Sequence, residues 1–252
     1  MPRYFLKLSY RGTAYHGWQI QENAHTVQAE MNEKISTLCE EPVNVTGCGR
    51  TDTGVHARIF FLHFDLLQPL AFTPQDFVFR LNTFLPEDIA IFGIWEVPPE
   101  TQARFDAVSR TYRYYISRQK DPFKQGTTLT FMGRLNVEAM KQAADYLLEY
   151  EDFTSFSKLH TQTATNLCRL TEVRWEQTEN QLVFTITADR FLRNMVRAIV
   201  GTLLEIGKGK LKPEDMKSII EAKDRGKAGY SVPAQGLFLE EVRYPFVLGE
   251  EG

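Results

Sequence analysis

The stretch GCGRTDTGVHAR (residues 47–58) sets a carboxylate, Asp52, two residues after a guanidinium, Arg50, among three glycines. A carboxylate in such a loop can act as nucleophile, base or electrostatic stabiliser, and glycines let the backbone close on a ligand. Asp and Gly are also favoured in turns for backbone reasons alone, so an isolated Asp-x-Gly carries little weight. The context here adds to it, because Arg50 is close and the loop joins two apolar stretches, VNV before it and IFFLHF after it. Several chemistries are excluded. The Gly-Lys-Ser/Thr of a phosphate-binding loop is missing, and no helix opens with the third glycine of a dinucleotide fingerprint. Cys48 and His56 are too far apart in sequence, and without partners, to bind a metal. Asp52-Thr53-Gly54 matches the Asp-Thr-Gly of aspartic proteases, which need two facing carboxylates and a mostly β fold. The chain has no second Asp-Ser/Thr-Gly, helical patterns are abundant, and chains that dimerise around one such motif are far shorter.

Two further stretches carry chemistry-bearing residues. In SRTYRYY (109–115), alternation puts Tyr112 and Tyr114 on one face of a strand, with Arg113 and Tyr115 on the other. Tyr114 and Tyr115 read as core aromatics. In DRFLRNMVRAIVG (189–201), Arg193 and Arg197 stand at i and i+4, one helical turn apart, and Arg190 reads as solvated. Arg197 lies at the edge of an apolar stripe, where a partly desolvated cation calls for a carboxylate.

The elements that must hold these residues follow one order twice. The first pass is a strand at 3–10, a helix N-capped by Thr26, strands at 43–49 and 57–66, a helix from Pro74 to about Leu85 and a strand at 89–97. The second is a strand at 109–118, a helix at 136–150, strands at 170–178 and 181–189, a helix at 191–207 and a strand at 236–244, with an added helix at 213–223. Both match a split βαββαβ, ferredoxin-like unit. The expected architecture is therefore α+β: two ferredoxin-like halves, 1–106 and 107–252, whose antiparallel sheets join side by side around a cleft.

Composition narrows the class. The chain has 252 residues, 43% hydrophobic and 24% charged, with 18 Phe and 10 Tyr. Net charge is 29 − 32 = −3, so any nucleic-acid binding must come from local basic patches. Three cysteines (Cys39, Cys48, Cys168) at no metal-like spacing read as reduced thiols. No signal peptide opens the chain and no apolar run reaches the ~20 residues of a membrane helix, so a soluble cytoplasmic protein is expected.

Motifs in the right order along nearly the whole chain then resemble those of the bacterial tRNA pseudouridine synthase A (TruA) family. They are GTAYHGWQIQ, TVQ, GRTDTGVHA, LNTFLP, ARFDAVSRTYRYYI, EDFTSF, FLRNMVRAIVG, AKDR and PAQGLFL. The resemblance implies that Asp52 is the catalytic carboxylate, that Tyr112 meets the target base and that Arg197 partners Asp52. It also places Arg50 among the residues that hold RNA with the target base extruded. Arg58, Arg104, Arg193 and the KGKLK segment (208–212) are further candidates for backbone contacts, KGKLK reading equally well as a solvated loop. Departures are mild: Arg11 replaces a common Asp, Ala198 a frequent Asn and Arg193 a frequent His.

The implied reaction detaches uracil from ribose and rejoins it through C5, in the anticodon stem-loop at tRNA positions 38 to 40, by a homodimer whose chains share the tRNA. The product is an isomer, so no cofactor or metal is expected. Asp52 has three roles open to it: attack on the ribose, addition to the base, or assistance in loss of a sugar proton. A dry pocket raises a carboxyl pKa and an adjacent guanidinium lowers it, which gives Arg197 its job. Tyr112 can stack on uracil and move a proton. The alternative is a non-catalytic RNA-binding module. It explains the arginines but not an acid in the glycine-rich loop, since carboxylates repel phosphates.

Overall fold

The computed structural model describes residues 1–158 and 165–249. Its strands and α-helices in chain order are β1 (Arg3–Tyr10), α1 (Val27–Cys39), β2 (Thr46–Gly47), β3 (His56–Asp65), α2 (Pro74–Phe84), β4 (Ile89–Val97), β5 (Ser109–Ser117), β6 (Leu129–Thr130), α3 (Val137–Asp145), β7 (Leu170–Gln177), β8 (Gln181–Ala188), α4 (Met195–Gly207), α5 (Asp215–Glu221) and β9 (Leu237–Arg243). By internal packing the chain divides into two compact units, Met1–Val108 with Leu239–Gly252, and Ser109–Phe238. Strands and helices of both kinds make this an α+β fold. Element order alone put the last strand in the second half. From Leu239 onward it packs with the first unit instead.

In the first unit the strands run β4-β1-β3-β9. β1 is antiparallel to its neighbours, with Leu6 opposite both Leu62 and Ile94. Tyr4, Leu6 and Leu8 share a buried face with Phe60, Leu62 and Phe64, and Phe64 stacks at 6.4 Å on Phe77 of α2. The opposite face carries Phe5 and Phe61, each met edge-on by Tyr244 at 5.2 Å. A strand buried on both faces reads as a continuous apolar run, which is why IFFLHF shows no alternation. The helix starts are side-chain capped. The Thr26 hydroxyl accepts from the Ala29 amide at 3.3 Å, and that of Thr73 accepts from the Asp76 amide at 3.1 Å just before Pro74.

The 43–49 strand is a correction, since only Thr46–Gly47 pair with β3. Val43 and Val45 are buried, but α1 takes their amides: Val43 donates to Ser36 Oγ at 2.8 Å and Val45 to Asn32 Oδ1 at 2.9 Å. Side-chain acceptors on the helix replace the ladder that the β-branched residues suggested.

In the second unit β8 lies between β5 and β7, all antiparallel, and β6 runs parallel to β5. Tyr114 faces Phe184, which in turn faces Trp175. α4 is buried on almost every side, as a helix apolar all round must be. It begins at Met195, not at 191, because Asn194 adopts φ +67°. Arg193 therefore precedes the helix, and the one-turn relation to Arg197 does not exist. The 136–150 helix also ends early, giving way to a 3-10 turn at Tyr146–Glu149.

Two groups in the first unit set its acid stability. Arg3 clamps Asp65 through two bonds of 2.7 and 2.8 Å and holds its carboxyl below the usual range. His63 is pushed below its usual value of 6.5 by burial, helped by Arg3, while its Nδ1 accepts from the Ala103 amide at 3.0 Å. Both folded-state values are depressed, so both groups stabilise the fold above their unfolded pKa and lose that contribution as pH falls. Melting temperature is expected to decline below about pH 6.5 and more steeply below about pH 4. Differential scanning fluorimetry across pH checks this: His63→Gln should remove most of the first decline, and Asp65→Asn part of the second, which Asp152 and Glu205 of the second unit share because their carboxyls are also held below the usual range.

Candidate active site

Asp52 sits where β2 and β3 part. Past Gly47 the Cys48 amide still donates to the Phe61 carbonyl at 2.8 Å, and then the chain leaves the sheet. It returns through a turn in which the Val55 amide donates to the Asp52 carbonyl at 3.1 Å, with Gly54 at φ +77°. That conformation suits glycine and strains other residues. Thr51 is buried, Asp52 half-buried, and Arg50 and Thr53 exposed. The loop thus offers a carboxylate at the edge of solvent on a backbone fixed at both ends.

The fixing comes from residues 12–18, part of the GTAYHGWQIQ stretch. The Trp18 amide donates to the Thr51 carbonyl at 3.2 Å, and the Gly54 amide to the Tyr15 carbonyl at 3.3 Å. The Gly12 amide donates to Nδ1 of buried His56 at 3.0 Å, so that nitrogen carries no proton. Gly17 lies so close that a Cβ there would stand 2.5 Å from the Thr51 oxygen. The Tyr15 phenol donates to Asp88 at 2.6 Å, and burial together with that carboxylate raises its pKa above the usual range. The sequence marked this stretch as a motif without giving it a task.

The other first-unit candidates are spread out. Arg58 is exposed on β3, with Nε 3.2 Å from the Glu240 carboxylate. Arg104 is exposed on the turn before β5, its guanidinium 5.3 Å from the Phe105 ring centroid. Only Arg50 shares the loop of Asp52. Cys48 and His56 have separate partners, Cys48 Sγ lying 3.5 Å from the Phe61 amide. Among the described residues no group of three or more His, Cys, Asp or Glu is placed to hold a metal.

In the second unit β5 presents Tyr112 half-buried, opposite Ile186 of β8 and edge-on to Phe191 at 5.1 Å. Tyr114 is core, as read from the sequence. It is fully buried, donates to the Pro233 carbonyl at 2.8 Å, and burial raises its pKa. Tyr115 packs edge-on to Phe238 at 5.2 Å.

Arg197 is half-buried in the first turn of α4. Its Nε donates to the Val232 carbonyl at 2.7 Å, while the Val232 amide donates to the Arg197 carbonyl at 3.2 Å. The segment that receives it is itself tied down. Arg225 donates to the Gly229 carbonyl and to Ser231 Oγ, both at 3.0 Å, and Asn194 Nδ2 lies 2.5 Å from the same Ser231 oxygen. Arg225, from the AKDR stretch, is a structural residue that sequence reasoning quoted without a role. Exposed Arg193 lies in the turn ahead of α4, where its carbonyl accepts from the Lys158 amide at 3.1 Å.

Comparison with known proteins agrees with this arrangement of motifs. Residues 8–106 and 143–245 match the family described as tRNA pseudouridine synthase. The chain is 52% identical over 248 residues to the tRNA pseudouridine synthase A of Parabacteroides distasonis, covering 97% of each protein. It is 53% identical to the enzyme of that name from Porphyromonas gingivalis, over 97% of this chain and 98% of the relative. With that of Bacillus subtilis it shares 39% identity over 94% of this chain and 97% of the relative. Identity of this extent spans both units and every motif above, and the chain belongs to the tRNA pseudouridine synthase family.

Proposed function

We propose that this isomerase converts uridine to pseudouridine at positions 38 to 40 in the anticodon stem-loop of tRNA, with Asp52 as the reacting carboxylate. Conversion of uridine in tRNA follows from family membership. The site assignment rests on one observation: Asp52 is half-buried on a loop whose neighbouring residues are hydrogen-bonded in place. A non-catalytic RNA-binding module leaves that anchored acid unexplained.

In the reaction the N1–C1′ bond breaks, a C5–C1′ bond forms, the C5 proton leaves to solvent and N1 takes up a proton. Asp52 stands beside the sugar–base bond as nucleophile toward ribose or base, or as the group that assists loss of a sugar proton, and Arg197 supplies the guanidinium that keeps it aimed. Tyr112, held edge-on by Phe191, is the stacking partner of uracil. The base must leave its stack to react, at a cost of a few kcal/mol that stacking and phosphate contacts offset. Arg50, Arg58, Arg104 and Arg193 are all exposed and provide such contacts. The working unit is a homodimer in the cytoplasm sharing one tRNA. No helix among the described residues is long and apolar enough to cross a membrane.

Incubation with tRNA tritiated at uridine C5 tests the proposal. Tritium release that disappears when positions 38 to 40 hold no uridine supports it, and release that persists assigns the target elsewhere. Tyr112→Phe keeps the ring and removes the hydroxyl. If Tyr112 moves a proton, kcat should fall roughly 10²-fold with little change in KM, whereas full activity would leave stacking as its whole role.

A further inference from the structure

Thr51, the residue immediately before Asp52, is held more firmly than a loop residue needs to be. Its carbonyl accepts the Trp18 amide at 3.2 Å, and its hydroxyl lies 2.9 Å from the phenol of Tyr10. Both residues are inside the protein, Tyr10 being 3% exposed and Thr51 8%. The Tyr10 ring, at the end of β1, is wedged against Phe60 at 5.4 Å and lies 6.2 Å from the ring of Trp18. The phenol oxygen is therefore set by packing, and the threonine is set by the phenol.

Stability does not call for this pair. Phe at position 10 with Val at 51 would fill nearly the same space without polar atoms to satisfy, and exchanging a buried hydrogen-bonded pair for apolar groups of the same shape is close to neutral. What the hydroxyl pair adds is direction. With the Thr51 side chain and carbonyl both held, the peptide entering Asp52 has one orientation, and the Val55 amide fixes the far side through the Asp52 carbonyl.

We infer that Tyr10 is a positioning residue for the isomerisation: its phenol orients Thr51 and thereby sets the direction of the Asp52 carboxylate. The inference rests on the reading of Asp52 as the reacting group. Misplacing a reacting group by ~1 Å can cost about 10²-fold in rate. The pair therefore acts on turnover and not on tRNA binding.

The test is single-turnover pseudouridine formation at saturating enzyme, with KM for tRNA from steady-state rates, in Tyr10→Phe, Thr51→Val, the double variant and Thr51→Ser. Tyr10→Phe and Thr51→Val should each lose roughly ten- to a hundredfold in rate, with KM for tRNA near wild type; each takes a partner from a buried hydroxyl and should melt slightly lower, the double variant closer to wild type. The double variant should be no slower than the slower single, because both remove one interaction. Thr51→Ser, which keeps the hydroxyl, should recover most of the rate. A wild-type rate in Tyr10→Phe, or losses that multiply in the double variant, would overturn the inference. If Tyr10→Phe folds poorly, Thr51→Val against Thr51→Ser decides, and equal rates in those two overturn it. Asp52→Ala measured alongside separates the two readings. An active Asp52→Ala removes the premise, whereas an inactive Asp52→Ala beside a normal Tyr10→Phe removes only the positioning role.

Discussion

An Asp52→Ala enzyme is expected to bind tRNA nearly as tightly as wild type and to release essentially no tritium from C5-labelled uridine. The expected loss is large because Asp52, as proposed, is the carboxylate that meets the sugar–base bond, and deleting a group of that kind typically costs about 10⁴-fold or more in kcat. Binding survives because the family's substrate is a polyanion, held mainly by cations that this substitution leaves in place. The loop survives too. The turn is closed by the Asp52 carbonyl with the Val55 amide, and alanine keeps that carbonyl. The Thr51 and Gly54 bonds to residues 15 and 18 do not involve the Asp52 side chain. Asp52→Asn separates shape from charge: it preserves the outline and should be as inactive as alanine. Equal tritium release from wild type and Asp52→Ala would refute the assignment. A parallel loss of affinity and turnover would make Asp52 a residue of RNA binding or loop structure.

How legible this loop was depends on which of its properties is asked about. An acid beside a cation among glycines drew attention to it, but Asp and Gly are common in turns, and the role proposed for Asp52 comes from the resemblance of its motif. Its anchoring was not legible. Trp18 and Tyr15 act through backbone groups, which have no sequence signature, and the Tyr10 phenol reaches Thr51 across 41 positions. His56 shows the same limit. Its spacing from Cys48 could only argue against a metal, whereas its work is to accept the Gly12 amide.

The larger elements were read mostly from periodicity, and they failed where burial extends past an element. Leu192, Met195, Val196 and Ile199 continue one apolar stripe, yet Leu192 is buried in a turn and the helix opens only after Asn194. A non-glycine residue at φ +67° is uncommon, and asparagine is among the few that adopt it readily. The Nδ2 contact with Ser231 holds it there, a partner 37 positions away that no local pattern reveals. At β2 the error ran the other way. Val43 and Val45 have strand chemistry and are buried, but α1 intercepts their amides before the ladder can. Residue type reports burial well, and reports hydrogen-bond partners poorly.

Arg197→Ala is expected to lose about 10²- to 10³-fold in kcat, as removal of a single preorganised donor does, while KM for tRNA changes little. The arginine is not placed like a phosphate contact. It is half-buried in the first turn of a helix that is otherwise nearly all interior, and its Nε is committed to the Val232 carbonyl at 2.7 Å. That bond fixes the plane of the guanidinium, which a flexible surface cation would not need. The substitution leaves one side of the link intact, since the Val232 amide donates to the Arg197 carbonyl whatever the side chain. The 225–231 anchors through Arg225 also remain, so the fold should tolerate the change. Arg197→Lys keeps the charge but has no Nε to hold it in plane, and should recover only part of the lost rate. Guanidinium added to Arg197→Ala provides the discriminating measurement. If the missing cation acts in the chemical step, millimolar guanidinium should restore part of kcat, with no effect on Asp52→Ala. If instead Arg197→Ala loses affinity and turnover in equal measure and guanidinium restores neither, Arg197 belongs to the RNA-binding surface and Asp52 is aimed by something else.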